Sequence, residues 1–394
     1  MKKSNKKAIF HTTEVVTLIV LTCIIGIGMG FFLGNRIDYP LPSSATEDEH
    51  VAEFLENYQY VMENFYGEID SETLMDGALN GMLESLGDDY STVISSNSFD
   101  AQLEGNYQGV GIEIYSDEKS ITILNVFEGS SAAEAGLKPG DVILSIDGIN
   151  YLGKESSTIT DYIKVSKSTS FQFEILREGQ THTFTLNRGN VTIPSVESKT
   201  FDKEGKKIGY IYIDIFAAAT TSQFSKALNE LEKQNIDGLI IDVRDNSGGH
   251  LTTVVDILSN FMDKMNVIYQ TQTKTETKKF YSKGKINKTY PIVVLQNNSS
   301  ASASELLSIA LQEQYGATII GETSYGKGTV QELVTMGDTE YKFTTKKWLS
   351  PKGNWIHKKG VTPNISITLD KIYYDNPSDE NDNQLQAAIN ELVK

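Results

Sequence analysis

The chain has 394 residues, enough for two or three domains with ample core. A formal charge of −17 leaves no basic stripe to neutralise phosphates, which argues against a nucleic-acid partner. The single cysteine, Cys23, rules out an intrachain disulfide. His11, His50, His182, His250 and His357 lack zinc-ligand spacing, so no metal and no other cofactor is expected.

The N-terminus sets the expected location. Lys2, Lys3, Lys6 and Lys7 precede Val15–Leu33, nineteen residues without a charge. That is about the length a helix needs to cross a ~30 Å hydrocarbon core. The lysines should stay in the cytoplasm and everything after Asn35 should lie outside. A cleaved secretory signal, with a weak site in Pro40–Ala45, is the alternative. A lipid-modified Cys23 is a further one, although Val20–Thr22 is a poor lipidation signal and the apolar run continues past it. Residues 1–35 are thus read as a cytoplasmic end and a single-pass transmembrane anchor.

Residues 36–105 read as a linker and a helical arm. From Glu47 to Leu86 apolar residues recur at helical spacing, with Val51, Phe54, Leu55 and Tyr58, then Leu74, Ala78, Met82 and Leu83. Gly87 ends the run and Asp88–Ser91 makes the turn. The arm either caps the main domain or forms a homodimer, and the spacing alone does not separate the two.

Residues 106–190 have a different texture. Val110–Ile114 and Ile121–Val126 read as strands, and Ser131–Ala135 as a short helix closed by Gly136. Asp141–Ile146 is a strand turned at Asp147-Gly148, Thr158–Val165 a helix, and Phe171–Leu176 with His182–Leu186 a hairpin. This order resembles a PDZ domain, and the segment from Ala132 through Leu137-Lys-Pro-Gly-Asp141 to Gly148 is similar to that family. The resemblance places Gly109, Val110, Gly111 and Ile112 where PDZ domains offer backbone N–H groups to a peptide carboxylate. Glycine permits the close approach, and the peptide adds a strand to the sheet edge. The plainer reading is that Gly109 and Gly111 only shape a turn.

From Val191 to Asp370 strands and helices alternate, the mark of an α/β core. Ile208–Ile213, Gly238–Val243 and Tyr290–Leu295 are strands, with helices over Thr221–Lys233, through Val254, Leu258 and Phe261, and from the serine run to Gln314. Gly238–Val243 is nearly all apolar, as in a sheet buried on both faces. Sites in such sheets form where strands end and helices begin. Ser300-Ala-Ser-Ala-Ser-Glu305 occupies one such place and Gly248-Gly249 another. Twenty-five residues beyond Ser302 stands Lys327, in the glycine-flanked turn Gly321–Gly328. A serine hydroxyl is a poor nucleophile until a base takes its proton, and a neutral lysine amine can be that base. The pair suggests a hydrolase that needs no histidine.

Asp242–Gly249, Ser300–Glu305 and Gly326–Gln331, in that order, resemble the signatures of carboxyl-terminal processing proteases, serine peptidases with a Ser–Lys dyad and an embedded PDZ domain. The likeness runs from about Met75 to Ser366 and includes Leu86–Tyr90, Ser350–Ile356 and Gly360–Pro363. It implies that Ser302 is the nucleophile, Lys327 the general base and Gln331 the residue that orients the lysine. It implies backbone N–H groups of Ala303 and Gly248 as oxyanion donors, with Ser300 and Ser304 shaping the loop. Asp242, Arg244 and Asp245 would be structural charges. Asp89 stands where the family often has proline, Asn364 where an aspartate commonly follows Pro363, and Lys164 nearest a regulatory PDZ arginine. Residues 371–394 read as an acidic tail and a short helix.

The expectation is a multidomain α/β (α+β) protein: a membrane-anchored extracytoplasmic endopeptidase that takes substrates by their accessible C-terminal tails. The alternatives are a non-catalytic PDZ adaptor and a hydrolase that relies on His250.

Overall fold

The computed structural model describes residues 48–93, 103–284, 288–336 and 339–394. The described residues fall into two compact units, one within 1–94 and 332–343, the other within 95–331 and 344–394. The expected anchor over Val15–Leu33 and the linker after it lie outside the described residues. Among the described residues no helix is long and apolar enough to cross a membrane.

In the first unit, the helical run expected over Glu47–Leu86 is two helices, α1 (Glu49–Asn64) and α2 (Ser71–Ser85). Two aspartates explain the division. Asp48 accepts from the His50 N–H at the start of α1, and Asp70 accepts from the Thr73 N–H at the start of α2. Each N-cap satisfies a donor that the helix leaves unpaired. Gly87, at φ +60°, follows α2. Strand β1 (Thr92–Val93) pairs antiparallel with Tyr341–Lys342.

The first part of the second unit is β-rich. Its elements are β2 (Asn106–Gly109), β3 (Ile112–Ser116), β4 (Ile121–Val126), α3 (Ser131–Ala135), β5 (Val142–Ile146) and β6 (Ile149–Asn150). They continue with α4 (Ser156–Val165), β7 (Ser170–Arg177), β8 (Gln180–Asn187) and β9 (Gly189–Thr192). The main sheet has the order β3-β4-β5-β7-β8, with β6 on β5, while β2 and β9 form a separate ribbon. Phe171, Phe173 and Ile175 alternate inward along β7 and join Ile121, Ile123, Ile143 and Ile146 in one core. Glu178 and Gly179, both at positive φ, close the β7–β8 hairpin in the sense that matches strand twist. The strand expected from Val110 begins at Ile112, because the Val110 and Gly111 carbonyls turn aside to accept from the Ala132 and Phe127 N–H groups. β3 has a strand partner on one side only, so its other edge is open for pairing.

The α/β part holds β10 (Val196–Lys203), β11 (Lys206–Ile213), α5 (Thr220–Lys233), β12 (Gly238–Asp242), α6 (Leu251–Leu258), β13 (Val267–Gln272) and β14 (Thr277–Tyr281). After these come β15 (Ile292–Gln296), α7 (Ala303–Ala310), a π turn (Leu311–Tyr315), β16 (Thr318–Gly321), β17 (Thr329–Met336) and β18 (Thr339–Leu349), whose residues 332–336 and 339–343 fall in the first unit, then β19 (Ile365–Ser366), α8 (Lys371–Asp375) and α9 (Asn383–Val393). The sheet order is β10-β11-β12-β15-β16-β19, parallel from β11 onward. Every residue of β12 and β15 is buried, as their apolar runs require. Helices α5, α6 and α7 cover one face. On the other, Leu385, Ala388, Ile389 and Leu392 of α9 pack on Ile208, Ile240, Val293, Leu295 and Ile320. The segment 371–394 therefore supplies a full layer of the core. Strands β13 and β14 join the end of β18 in a further sheet.

Candidate active site

The loops after β12 and β15 meet at the carboxyl end of the sheet. Three serines at alternate positions place their side chains differently. Ser300 Oγ donates to the Val243 carbonyl at 2.7 Å, and Ser304 Oγ to the Asn246 carbonyl at 2.8 Å. Both are fully buried, while Ser302 between them is partly exposed. The outer serines thus fasten one loop to the other, and the middle one stays accessible at the N-cap of α7. Its backbone, at φ +55° and ψ −110°, is a mirror image of extended chain. Such a conformation costs a non-glycine residue about 1–3 kcal/mol and is found at functional sites.

The Gly248 position is strained for any residue but glycine. At φ +115°, an added Cβ would stand 2.9 Å from the Ala301 carbonyl oxygen and from Ser302 Cβ, and 3.2 Å from the Ala303 nitrogen. Gly248 and Ala303 therefore lie together beside Ser302. The Gly248 N–H donates to Asn246 Oδ1 at 2.8 Å. Asn246 is itself buried: its Nδ2 donates to the Ile213 carbonyl, and its carbonyl also accepts from the Ala301 N–H. His250 caps α6, with its backbone N–H on the Phe216 carbonyl.

Arg244 fixes the base of this loop. Its guanidinium spans Asp242, at 2.6 Å, and Asp382, at 2.8 Å, and reaches Gln384 at 3.0 Å. Burial opposes its charge, but the two carboxylates more than offset that and hold its pKa above the ordinary value. Asp245, at φ +61°, accepts from Asn297 Nδ2.

Lys327 comes to the site through Glu305. The Glu305 carboxylate is fully buried and accepts four hydrogen bonds. Oε2 takes the Ser302 N–H and the Lys327 N–H, each at 2.8 Å. Oε1 takes the Gly326 N–H and Ser324 Oγ, each at 2.6 Å. Two nitrogens that share one oxygen lie within about 5.6 Å of each other, twice the 2.8 Å bond. Residues twenty-five apart in sequence are thereby neighbours. Burial pushes the Glu305 carboxyl up, and the donors pull it down without cancelling the rise. Two indoles brace the far side of the lysine turn: Trp348 Nε1 donates to the Lys327 carbonyl and Trp355 Nε1 to that of Gly328. Gln331 Nε2 is held by the Thr329 and Thr344 hydroxyls at 3.0 and 2.9 Å. Its Oε1 is then the atom it can present to an amine.

The second candidate site is the loop Gly109–Ile112. A Cβ on Gly111, at φ +93°, would fall 2.0 Å from Ser130 Cβ, and one on Gly109 would fall 2.2 Å from the Tyr107 ring. Val110 is buried in the core, and Ile112 and Ile114 of β3 pack on the same core as Ile159 and Ile163 of α4. An apolar floor thus lies between the open edge of β3 and α4. Burial pushes the Tyr107 phenol up to about 12, while a bond from the Gly111 N–H works the other way. Lys164 sits in the last turn of α4, whose final carbonyls accept from Arg188 Nη1.

Sequence reading missed Glu305, Asn246, Trp348 and Tyr107. One signal was present: serine followed three residues later by glutamate, before an apolar run, is a capping-box pattern. It indicated a helix start but not the second loop that the carboxylate gathers.

Comparisons with known proteins agree with this architecture. Family models match residues 37–98 (activating protease CtpB N-terminal domain), 109–188 (PDZ domain) and 207–367 (peptidase family S41). The carboxy-terminal processing protease CtpB of Bacillus subtilis is 36% identical over 358 residues, covering 86% of this chain and 75% of the relative. CtpA of the same organism is 32% identical, covering 89% and 76%. A Bacteroides fragilis structure assigned to the S41 proteases superposes with a TM-score of 0.50 at 16% identity, over 80% of this chain and 90% of that one, a likeness of fold.

Proposed function

Because the chain belongs to the carboxy-terminal processing proteases of peptidase family S41, serine-type endopeptidases with a PDZ domain, we propose that Ser302 and Lys327 are its catalytic dyad. The observation that carries this reading is the shared Glu305 oxygen, which brings the two backbones together at the carboxyl end of the sheet. Ser302 Oγ attacks the scissile carbonyl carbon while neutral Lys327 Nζ takes its proton. Lysine ordinarily titrates near 10.4, so its site must favour the neutral amine. The oxyanion is met by the Ala303 N–H at the start of α7 and by the Gly248 N–H. The latter now points to Asn246, so this reading has the 247–248 peptide turn toward substrate. Lys327 then hands its proton to the leaving amine, and the C–N bond breaks. Water, deprotonated by the same amine, cleaves the acyl ester and Ser302 recovers its proton. Gln331 Oε1 orients the lysine.

Substrate tails enter by pairing with the open edge of β3, with the terminal carboxylate at Gly109–Ile112. The enzyme works outside the cytoplasmic membrane, held by Val15–Leu33, a reading that rests on the lysine-flanked apolar run. The arm serves a homodimer: α1 leaves Phe54, Leu55 and Val61 exposed on an amphipathic helix.

The test is cleavage of an unstructured protein and labelling by a fluorophosphonate probe. Ser302→Ala and Lys327→Ala should lose both while remaining folded, and full activity in either overturns the dyad.

A further inference from the structure

Glu305 is a costly residue to place where it is. Its carboxylate is removed from water, a penalty seen in the direction of its pKa, and only good hydrogen bonding offsets such a penalty. An apolar residue would pack α7 without that cost. A glutamine would fit the same space but could not make the same bonds. Three of the four donors are backbone N–H groups, which cannot accept. A group that accepts at both ends, and only accepts, fits the site.

The four donors come from both halves of the reaction. Ser302 contributes the backbone of the strained nucleophile, and Ser324, Gly326 and Lys327 contribute the turn that carries the base. The Ser324 hydroxyl extends the link, accepting from the Val361 N–H at 2.7 Å and so tying the turn to the 350–361 segment. Breaking the Ser302 N–H bond frees that residue to relax toward an ordinary conformation, which would carry Oγ away. Breaking the Lys327 N–H bond loosens the base by the same act.

We infer that Glu305 is a positioning residue that fixes nucleophile and base in mutual register, holding the Ser302 backbone and the Lys327 backbone on one carboxylate oxygen. This rests on the dyad reading above. It predicts a defect in the chemical step alone, because Glu305 is buried beneath the site and reaches no part of the PDZ groove.

The experiment compares the full-length protein with Glu305→Ala and Glu305→Gln. The readouts are the second-order rate of fluorophosphonate labelling, kcat and KM on an unstructured protein, and melting by tryptophan fluorescence. Misplacement by about 1 Å costs on the order of 100-fold, so Glu305→Ala should label about 100-fold more slowly with KM unchanged. Glu305→Gln should recover part of that rate. Its amide can face Ser324, whose hydroxyl can turn to accept, leaving the oxygen on Ser302 and Lys327 and orphaning only Gly326. If Glu305→Ala fails to fold, the folded amide variant decides, with about a tenfold loss expected at unchanged KM. Labelling by Glu305→Gln at the wild-type rate overturns the proposal, as does a KM that rises in step with a fall in kcat. Ser302→Ala separates the two levels. If it still labels, the dyad itself is wrong; if it is silent while Glu305→Gln is fully active, only the role of Glu305 fails.

Discussion

Replacing Arg244 by methionine tests how the loop after β12 is attached to the sheet. The arginine side chain is 11% exposed, and those of Asp242 and Asp382 are 2% and 4% exposed. Five of its hydrogen bonds reach the two aspartates and one reaches Gln384. Methionine fills similar volume but leaves two carboxylates facing each other without a cation. Removing one partner of a buried ion pair typically costs about 3–5 kcal/mol. For a unit of this size that is roughly 6–20 °C in Tm. Asp382 and Gln384 sit at the start of α9, so the loss should first free that helix from the sheet. The assay is urea unfolding followed by tryptophan emission. Trp348 and Trp355 are the protein's only tryptophans and report on the α/β core without a contribution from the PDZ domain. Arg244→Lys keeps the charge but not the planar fork, and should fall between the two. Adding Asp242→Asn and Asp382→Asn to the methionine variant should restore part of the loss. A cost below about 1 kcal/mol for Arg244→Met would refute the reasoning, because it would mean that the charges are not desolvated together.

Gly248→Ala should lower kcat by about 100-fold or more, the scale of one lost oxyanion donor, since its Cβ would press on the Ala301 carbonyl and Ser302. Steady-state kinetics on the folded variant check this. Gly111→Ala should abolish binding of a C-terminal peptide in titration calorimetry while leaving fluorophosphonate labelling intact, because its Cβ meets Ser130 and its φ is +93°. Acid should weaken the PDZ domain through Asp141. Burial alone would raise that carboxyl, but Arg177 and the Lys138 N–H hold it below its ordinary value. A depressed folded-state pKa contributes stability above the unfolded value of about 3.9, and that contribution is lost as pH falls through the folded one. Between about pH 5 and 2, wild type should therefore lose more stability than Asp141→Asn, and parallel curves would contradict the ion pair's role.

The elements that position the chemistry were the legible ones. Strands β12 and β15 announce themselves as apolar runs because both faces of the sheet are covered, and the alternate serines stand where a strand gives way to a helix. The crowding at Gly111 and Gly248 was not legible: a Cβ at the first would meet Ser130 and one at the second Ala301 and Ser302, contacts between segments far apart in sequence. What the sequence hid was distant pairing. Strand β14, Thr277–Tyr281, is almost entirely exposed and has no apolar alternation to mark it. The apolar stripe of α9 showed a helix, but nothing local told which face of the sheet it would cover. Glu305 reads locally as an ordinary helix-start acid. Its partners Ser324, Gly326 and Lys327 stand about twenty residues away in sequence, and only the fold brings them to it.

On the dyad reading, the backbone of Ser302 sets the protein's stability against its activity. At φ +55° and ψ −110° the favoured residue is glycine, which has no side chain to strain and no hydroxyl to react. If Ser302 is the nucleophile proposed above, every active molecule folds with a disfavoured conformer at that position. Two inactive variants should then differ in heat resistance, with Ser302→Gly melting above Ser302→Ala even though glycine has the more flexible unfolded chain. In thermodynamic terms the Ser302 backbone is a defect that the surrounding fold is stable enough to carry.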